Sequence, residues 1–333
     1  MKSVPTVTPV FILGSSRSGT TLMATMLAAS GQFASYNAEP LLLYSCGSKY
    51  GSLRNGRSRR RFLNDWFQSR QFHRSGLSRT LIETLAKEHD SFFGFHSAFM
   101  YEIAASQGKP AWIDSTPSNG YVIDRIADFF PTAKFIHMVR DGRGVAMSLA
   151  KLGWTGAKTS NAENALFYSA LKWKIATESI LRSKTRESDR YMQVKFEDLV
   201  RDPAQTLLSI LRKFSLEVPD LDEPVDYDGK RGNFSFRFSK SNSAFGDVHQ
   251  GISEKPAHRW RHELTAREIQ LIEQACSDLL LSLGYSLVGN TPRSTVNKIW
   301  SALAEGQMRT KQWLKRRTPL GRLSESPLEI GKL

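Results

Sequence analysis

Short apolar runs alternate with helical stripes along this chain, and the alternation predicts its architecture. Val10 to Leu13 is an unbroken apolar run inside Pro9 to Leu13, which reads as a short buried strand. Ala111 to Ile113, Lys134 to Val139 and Tyr191 to Lys195 read as further strands. Helical spacing marks the segments between them. Leu22, Met23, Met26 and Leu27 stripe Thr20 to Ala29, with Gly31 just past its end. Ile123, Ile126, Ala127 and Phe130 form the inner face of Tyr121 to Phe130. Ser78 to Lys87 and Gly144 to Lys151 are helical, and Ala162 to Lys184 is a long helix with Leu166, Ala170, Trp173, Ile180 and Leu181 inward. Asp202-Pro203 starts another helix with a cap-then-proline signature. Thr265 and Glu268 form a capping box that opens a helix ended by Gly284. Ser91 to Met100 is aromatic-rich and fits either state, and Pro219 to Pro256 reads as loop, with Phe234, Phe236, Phe238 and Phe245 as anchors. Strands separated by helices predict an α/β fold, a central parallel sheet flanked by helices in three layers.

The first strand leads into the chain's most informative stretch. Gly14 to Gly19 is a glycine-punctuated turn between strand and helix, the geometry that cradles a phosphate on loop N–H groups and a helix N-terminus. The glycine spacing is that of a P-loop, but Thr20 stands in the lysine position and Thr21 follows in place of the metal-holding hydroxyl. A nucleoside-triphosphate enzyme needs that lysine on the terminal phosphates. Here the only cation of the loop is Arg17. The fold is therefore P-loop-like, and its loop suits an anion held by a guanidinium fork and hydroxyls.

The second strand-turn-helix unit repeats the logic. Lys134 to Val139 ends in Arg140-Asp141-Gly142-Arg143, and a parallel strand there opens on the same crevice as the first. Arg140 at the strand end and Ser148 eight residues later can converge on one phosphate. An RDGR turn is also a common surface feature. His137, inside the strand, reads as a core histidine rather than a catalyst.

These residues resemble the PAPS-dependent sulfotransferase superfamily, closest in motif to bacterial enzymes of the tyrosylprotein-sulfotransferase-like type. The RSGTT string opening a helix is similar to the family's 5′-phosphosulfate loop, and KFIHMVRDGRGVAMSL to its 3′-phosphate site. The resemblance covers roughly Pro9 to Tyr285. It implies 3′-phosphoadenosine 5′-phosphosulfate (PAPS) as donor, with no metal. Arg17, Ser18, Gly19, Thr20 and Thr21 then hold the phosphosulfate end, and Arg140 and Ser148 the 3′-phosphate. Glu39, by itself a glutamate in a turn, stands twenty-two residues after Arg17, where the family's catalytic base is found. Phe196 occupies a position usually held by a tyrosine that meets adenine, so one hydrogen bond of roughly 1 kcal/mol is missing. Arg259 and Trp260 match in part the motif of a mobile loop that closes over the donor. Asp114, Thr116 and Pro117 match a turn that commonly carries a lysine. Ser115 replaces it, leaving Arg17 or a residue of the basic insert to supply that cation.

Charge adds a boundary. The net charge of +14 sits in two patches, Lys49 to Arg79 and Asn290 to Leu333, and the rest is neutral. The first interleaves arginines with Phe62, Trp66, Phe67 and Phe72 and reads as an amphipathic cap bordering the acceptor site, though nucleic acid, a polyanionic glycan or a membrane surface also suits it. The second reads as a packed helix, an interfacial helix or a dimer contact, so an oligomer stays open. Residues 1–289 are expected as the sulfotransferase domain, with the insert at about 45–90, and 290–333 as a basic C-terminal extension. Cys46 and Cys276 offer neither a disulfide framework nor a metal spacing, and no signal or spanning run is visible. The expectation is a soluble cytoplasmic protein whose basic patches suit a membrane-peripheral position. The acceptor is a hydroxyl on a tyrosyl peptide, glycan, lipid or small molecule. A P-loop nucleotide kinase or NTPase and a non-enzymatic anion binder are the alternatives.

Overall fold

The computed structural model describes residues 8–34, 36–155, 159–216, 252–288, 295–318, 320–323 and 325–331. Five parallel strands make one sheet in the order β2-β3-β1-β4-β5. They are β1 (Thr8–Gly14), β2 (Phe33–Ala34), β3 (Ala111–Asp114), β4 (Lys134–Val139) and β5 (Tyr191–Lys195). Four match the predicted strands; β2 is a two-residue edge strand, too short to leave a pattern.

The unbroken apolar run of β1 follows from its central place, since a parallel strand covered on both faces needs apolar residues at every position. Phe11 and Leu13 face one cluster and Val10 and Ile12 another, all fully buried. On the second face lie α1 (Thr20–Ala29) and α11 (Pro203–Lys213). On the first lie α2 (Leu42–Tyr50), α3 (Gly56–Phe67), α5 (Arg79–Glu88), α6 (Phe92–Ser106) and α7 (Ile123–Phe129). A third cluster joins the end of β4 to α8 (Gly142–Lys151), α9 (Ala162–Leu181) and α14 (Ala266–Ser282). Helix, sheet and helix make the three layers.

The basic insert is mostly helical, its helices joined by short turns. Phe62 and Trp66 of α3 are buried against Phe92, Phe95 and Phe99 of α6, while Arg57, Arg60 and Arg61 stay exposed. That is the amphipathic cap the aromatics and arginines predict. The loop predicted for Pro219 to Pro256 lies mostly outside the described residues, with its four phenylalanine anchors. The tail runs through α15 (Thr295–Arg317) and α16 (Leu320–Leu323) and then returns to the body. Ile330 bridges Ser69 in antiparallel fashion, Arg70 N–H donates to the Glu329 carbonyl at 3.0 Å, and Leu328 is buried in the first cluster.

Candidate active site

Two turns meet at the C-terminal edge of the sheet because β1 and β4 are adjacent and parallel, with Leu13 opposite His137 and Gly14 opposite Met138. In the first turn Arg17 (φ 73°) and Gly19 (φ 91°) are both left-handed. For arginine that conformation costs on the order of 1–3 kcal/mol and persists only where the surroundings impose it. Glycine is required at position 19, since a Cβ there would lie 2.5 Å from the Phe196 ring.

The surroundings of Arg17 come from the second turn. Arg17 Nε donates to Ser148 Oγ at 2.9 Å, and Arg140 Nη1 donates to the Arg17 carbonyl at 3.0 Å. The Arg140 guanidinium lies 4.3 Å above the centre of the Phe196 ring, and its Nη2 donates to the Pro256 carbonyl. Arg17, Gly19, Arg140, Ser148 and Phe196 thus converge from four segments. Burial lowers the pKa of Arg140 to about 10, with Glu197 opposing the fall and Arg17 adding to it. Arg140 therefore remains a cation at neutral pH. Ser18 Oγ and Arg140 Nε are buried without a partner among the described residues. A spare hydroxyl and a spare guanidinium N–H at a helix N-terminus fit phosphate oxygens. Thr20 is buried and Thr21 half-buried in the same first turn of α1.

Arg259 and Trp260 sit beside this pair rather than inside it. Arg259 is exposed and its Nε donates to Glu263 Oε1 at 2.7 Å, while Trp260 is buried with the Arg143 guanidinium 3.9 Å from its ring. The segment still reaches the crevice. Pro256 accepts from Arg140, and a Cβ on Gly144 would meet both Trp260 Cδ1 at 3.3 Å and Arg140 Nε at 3.6 Å. Arg143 itself is locked by Asp141 and by Glu273 Oε1 at 2.6 Å, tying the turn after β4 to α14.

Glu39 occupies a second, acidic pocket, in the connection between β2 and α2. Burial pushes its carboxyl up to about 8, helped by the charges of Asp114 and Glu329 and opposed by Arg70. The Glu39 carbonyl accepts from Gln71 Nε2 at 3.1 Å, and Gln71 Oε1 accepts from the Glu329 N–H at 3.1 Å. Arg70 pairs with Glu329 at 3.8 Å. Tyr36 donates its hydroxyl to the Gln71 carbonyl, and burial first, then Asp114 and Glu329, raises its pKa. The Ser115 turn is held by Asp114, whose carboxylate takes bonds from Asn119 Nδ2 and Thr116 N–H at 2.8 and 2.9 Å and lies 2.8 Å from His96 Nε2. Burial works against that carboxylate, yet the His96 and Thr116 contacts hold it below the usual range.

Sequence reasoning missed Tyr36, Arg70, Gln71 and Glu329. The charge of the insert pointed toward Arg70 as one of many arginines. Glu329, some 290 residues from Glu39 in sequence, gave no local signal.

The fold agrees with the comparisons. The profile described as "Sulfotransferase family" matches residues 9–220, so the chain belongs to the sulfotransferase family and is a sulfotransferase enzyme. The match includes Arg17, Glu39, Arg140, Ser148 and Phe196; Arg259, Trp260 and Glu329 lie beyond it. Protein-tyrosine sulfotransferase 1 of Danio rerio is 26% identical over 290 residues, 85% of this chain and 74% of that protein. The protein-tyrosine sulfotransferase of Drosophila melanogaster is 30% identical over 292 residues, 85% of this chain but 52% of the fly protein. The sulfotransferase domain from the curacin biosynthetic pathway shares the fold, with a TM-score of 0.60, 22% identity, and coverage of 85% of this chain and 99% of that one. The kinase and non-enzymatic alternatives fall with the family assignment. No helix among the described residues is long and apolar enough to cross a membrane.

Proposed function

We propose that this enzyme moves the sulfuryl group of PAPS to a hydroxyl acceptor, with Glu39 as general base. The convergence of Arg17, Arg140 and Ser148 on one crevice carries the reading. Two guanidinium groups and a serine hydroxyl, joined across 131 residues by the Arg17–Ser148 bond, suit a ligand with an anion at each end. PAPS brings an already activated sulfuryl group. Arg17, the Ser18 to Thr21 hydroxyls and the N–H groups opening α1 hold its 5′ end and offset the charge that grows on the leaving phosphate. Arg140 and Ser148 grip the 3′-phosphate, Phe196 offers its ring to the base, and the segment carrying Arg259 and Trp260 borders the 3′ side.

Glu39 takes the acceptor's proton. A carboxyl with a pKa of about 8 is an effective acceptor of a hydroxyl proton near neutral pH, but must first lose its own. Arg70, from the basic insert, is the cation nearest in role to the lysine missing at Ser115. Residues 1–289 form the catalytic unit in this reading, and 290–333 an extension that lends Glu329 to the acceptor pocket.

The two protein-tyrosine sulfotransferases support a tyrosyl peptide as the first acceptor to try. A phenol gives up its proton more easily than an alcohol, with a pKa of about 10, which suits a base of this strength. The buried thiols of Cys46 and Cys276 suit a reducing, cytoplasmic setting. Labelled sulfate transfer from PAPS to tyrosyl peptides, glycans, lipids and small alcohols tests the proposal. Transfer to none of them, with tight MgATP turnover instead, would reject it.

A further inference from the structure

Helix α15 is turned inside out relative to an ordinary surface helix. Its inward side is rich in charge. Glu305 pairs with Lys174 at 2.7 Å, Arg309 with Glu178 at 2.6 Å, and Arg316 stacks over Tyr44 at 5.5 Å. Among the described side chains of this face, Ala304 and Met308 reach the apolar cluster around α9 and α14. Its outward side carries Ile299, Trp300, Leu303 and Trp313, all exposed, Trp300 by 66%. Beside them, Leu303, Leu314, Lys311 and Lys315 of α15 and Leu323 of α16, 83% exposed, line an open groove of about 720 Å³. Water alone does not favour that arrangement, since a helix ordinarily turns its apolar stripe to the core.

The charges around the stripe choose among covers. Lys311, Lys315, Arg317 and Arg322 are exposed at its margin, and the one acid of α15, Glu305, is turned inward. A second copy of the chain would bring these cations against each other, which destabilises an interface. An anionic lipid surface accepts them, and exposed tryptophans sit favourably at headgroup depth. At about 34 Å for its 23 residues, the helix is long enough to lie flat along such a surface.

We propose that α15 and α16 dock the enzyme on the surface of an anionic phospholipid bilayer, lying in the interface without crossing it. Cosedimentation of the full chain with vesicles tests this. The vesicles are phosphatidylcholine alone, or phosphatidylcholine with about 30 mol % phosphatidylglycerol, at about 0.1 M and about 0.5 M salt. Binding to the anionic vesicles should exceed binding to neutral ones about tenfold and fall at high salt. The triple variant Trp300→Ser, Leu303→Ser, Trp313→Ser should lose about tenfold in binding with an unchanged melting temperature, because all three side chains are exposed. No pelleting with anionic vesicles, or equal pelleting of the variant, overturns the proposal. So does a wild-type dimer in light scattering that the triple variant dissolves, since a second copy would then be the cover.

Discussion

Arg17 Nε and Ser148 Oγ lie 2.9 Å apart, and this contact joins the turn after β1 to the helix after β4. It fixes the one flexible cation of the loop, on a backbone already held left-handed at φ 73°. In the proposed mechanism, removing the guanidinium takes away the charge that steadies the leaving phosphate, and removing Ser148 loosens it. Arg17→Ala should cut turnover by about 10²–10³-fold, the range for losing one electrostatic stabiliser. Ser148→Ala should act mainly on donor affinity. Steady-state kinetics with PAPS varied separates the two, and equal losses in kcat for both variants would contradict the assignment.

With Glu39 as the proposed base, the pH dependence has a definite sign. Its carboxyl is pushed up to about 8, and the base form appears as pH rises through that value. kcat/KM should therefore climb with pH to a midpoint near 8, following the free enzyme's ionisation. Glu39→Gln should lower turnover by about 10²–10⁴-fold and leave binding of the desulfated donor intact. A full-rate variant would dismiss Glu39 as base.

The same shift has a stability side. The folded chain keeps the Glu39 proton up to about pH 8, whereas an unperturbed glutamate releases it near 4.5. Folding takes up a proton between those values, so this group's contribution falls as pH rises across the window. Glu39→Gln, neutral throughout, should melt higher than wild type above about pH 8, by roughly 1–2 °C for each kcal/mol relieved. Calorimetric melting at several pH values measures the difference, and a lower melting point for the variant would argue against the buried charge.

Glu329 acts on the Glu39 carboxyl, the proposed base, from the far end of the chain. Its charge raises the Glu39 pKa and that of Arg70 lowers it. Glu329→Gln should move the kcat/KM profile to lower pH, and Arg70→Gln to higher pH. Coincident profiles for wild type and both variants would mean that the two side chains only brace the fold.

Much of this architecture is local and therefore legible in sequence. The β1 run, the glycine turn and the α1 stripe follow each other within 22 residues, and each has its own signature. Helix α6 is harder to read because Phe92, Phe93, Phe95, His96, Phe99 and Met100 are buried nearly all round, which erases the amphipathic period. Helix α2 starts from Leu41 in a left-handed conformation (φ 59°) with no side-chain cap, so no start signal precedes it. That Arg17, Arg140 and Ser148 meet could be inferred from two strand ends. The Glu39 pocket could not, because Arg70, Gln71 and Glu329 meet only when the tail folds back on α4 (Arg70–Ser75).

Calorimetric titration of a 3′,5′-bisphosphorylated adenosine against its 3′-hydroxyl counterpart, on wild type and Arg140→Ala, asks whether the two turns hold opposite ends of one nucleotide. Wild type should favour the bisphosphate by about tenfold to a hundredfold, the worth of one charge-assisted pair, and Arg140→Ala should lose that preference. Equal affinity for both nucleotides in wild type, or an undiminished preference in the variant, would contradict the account.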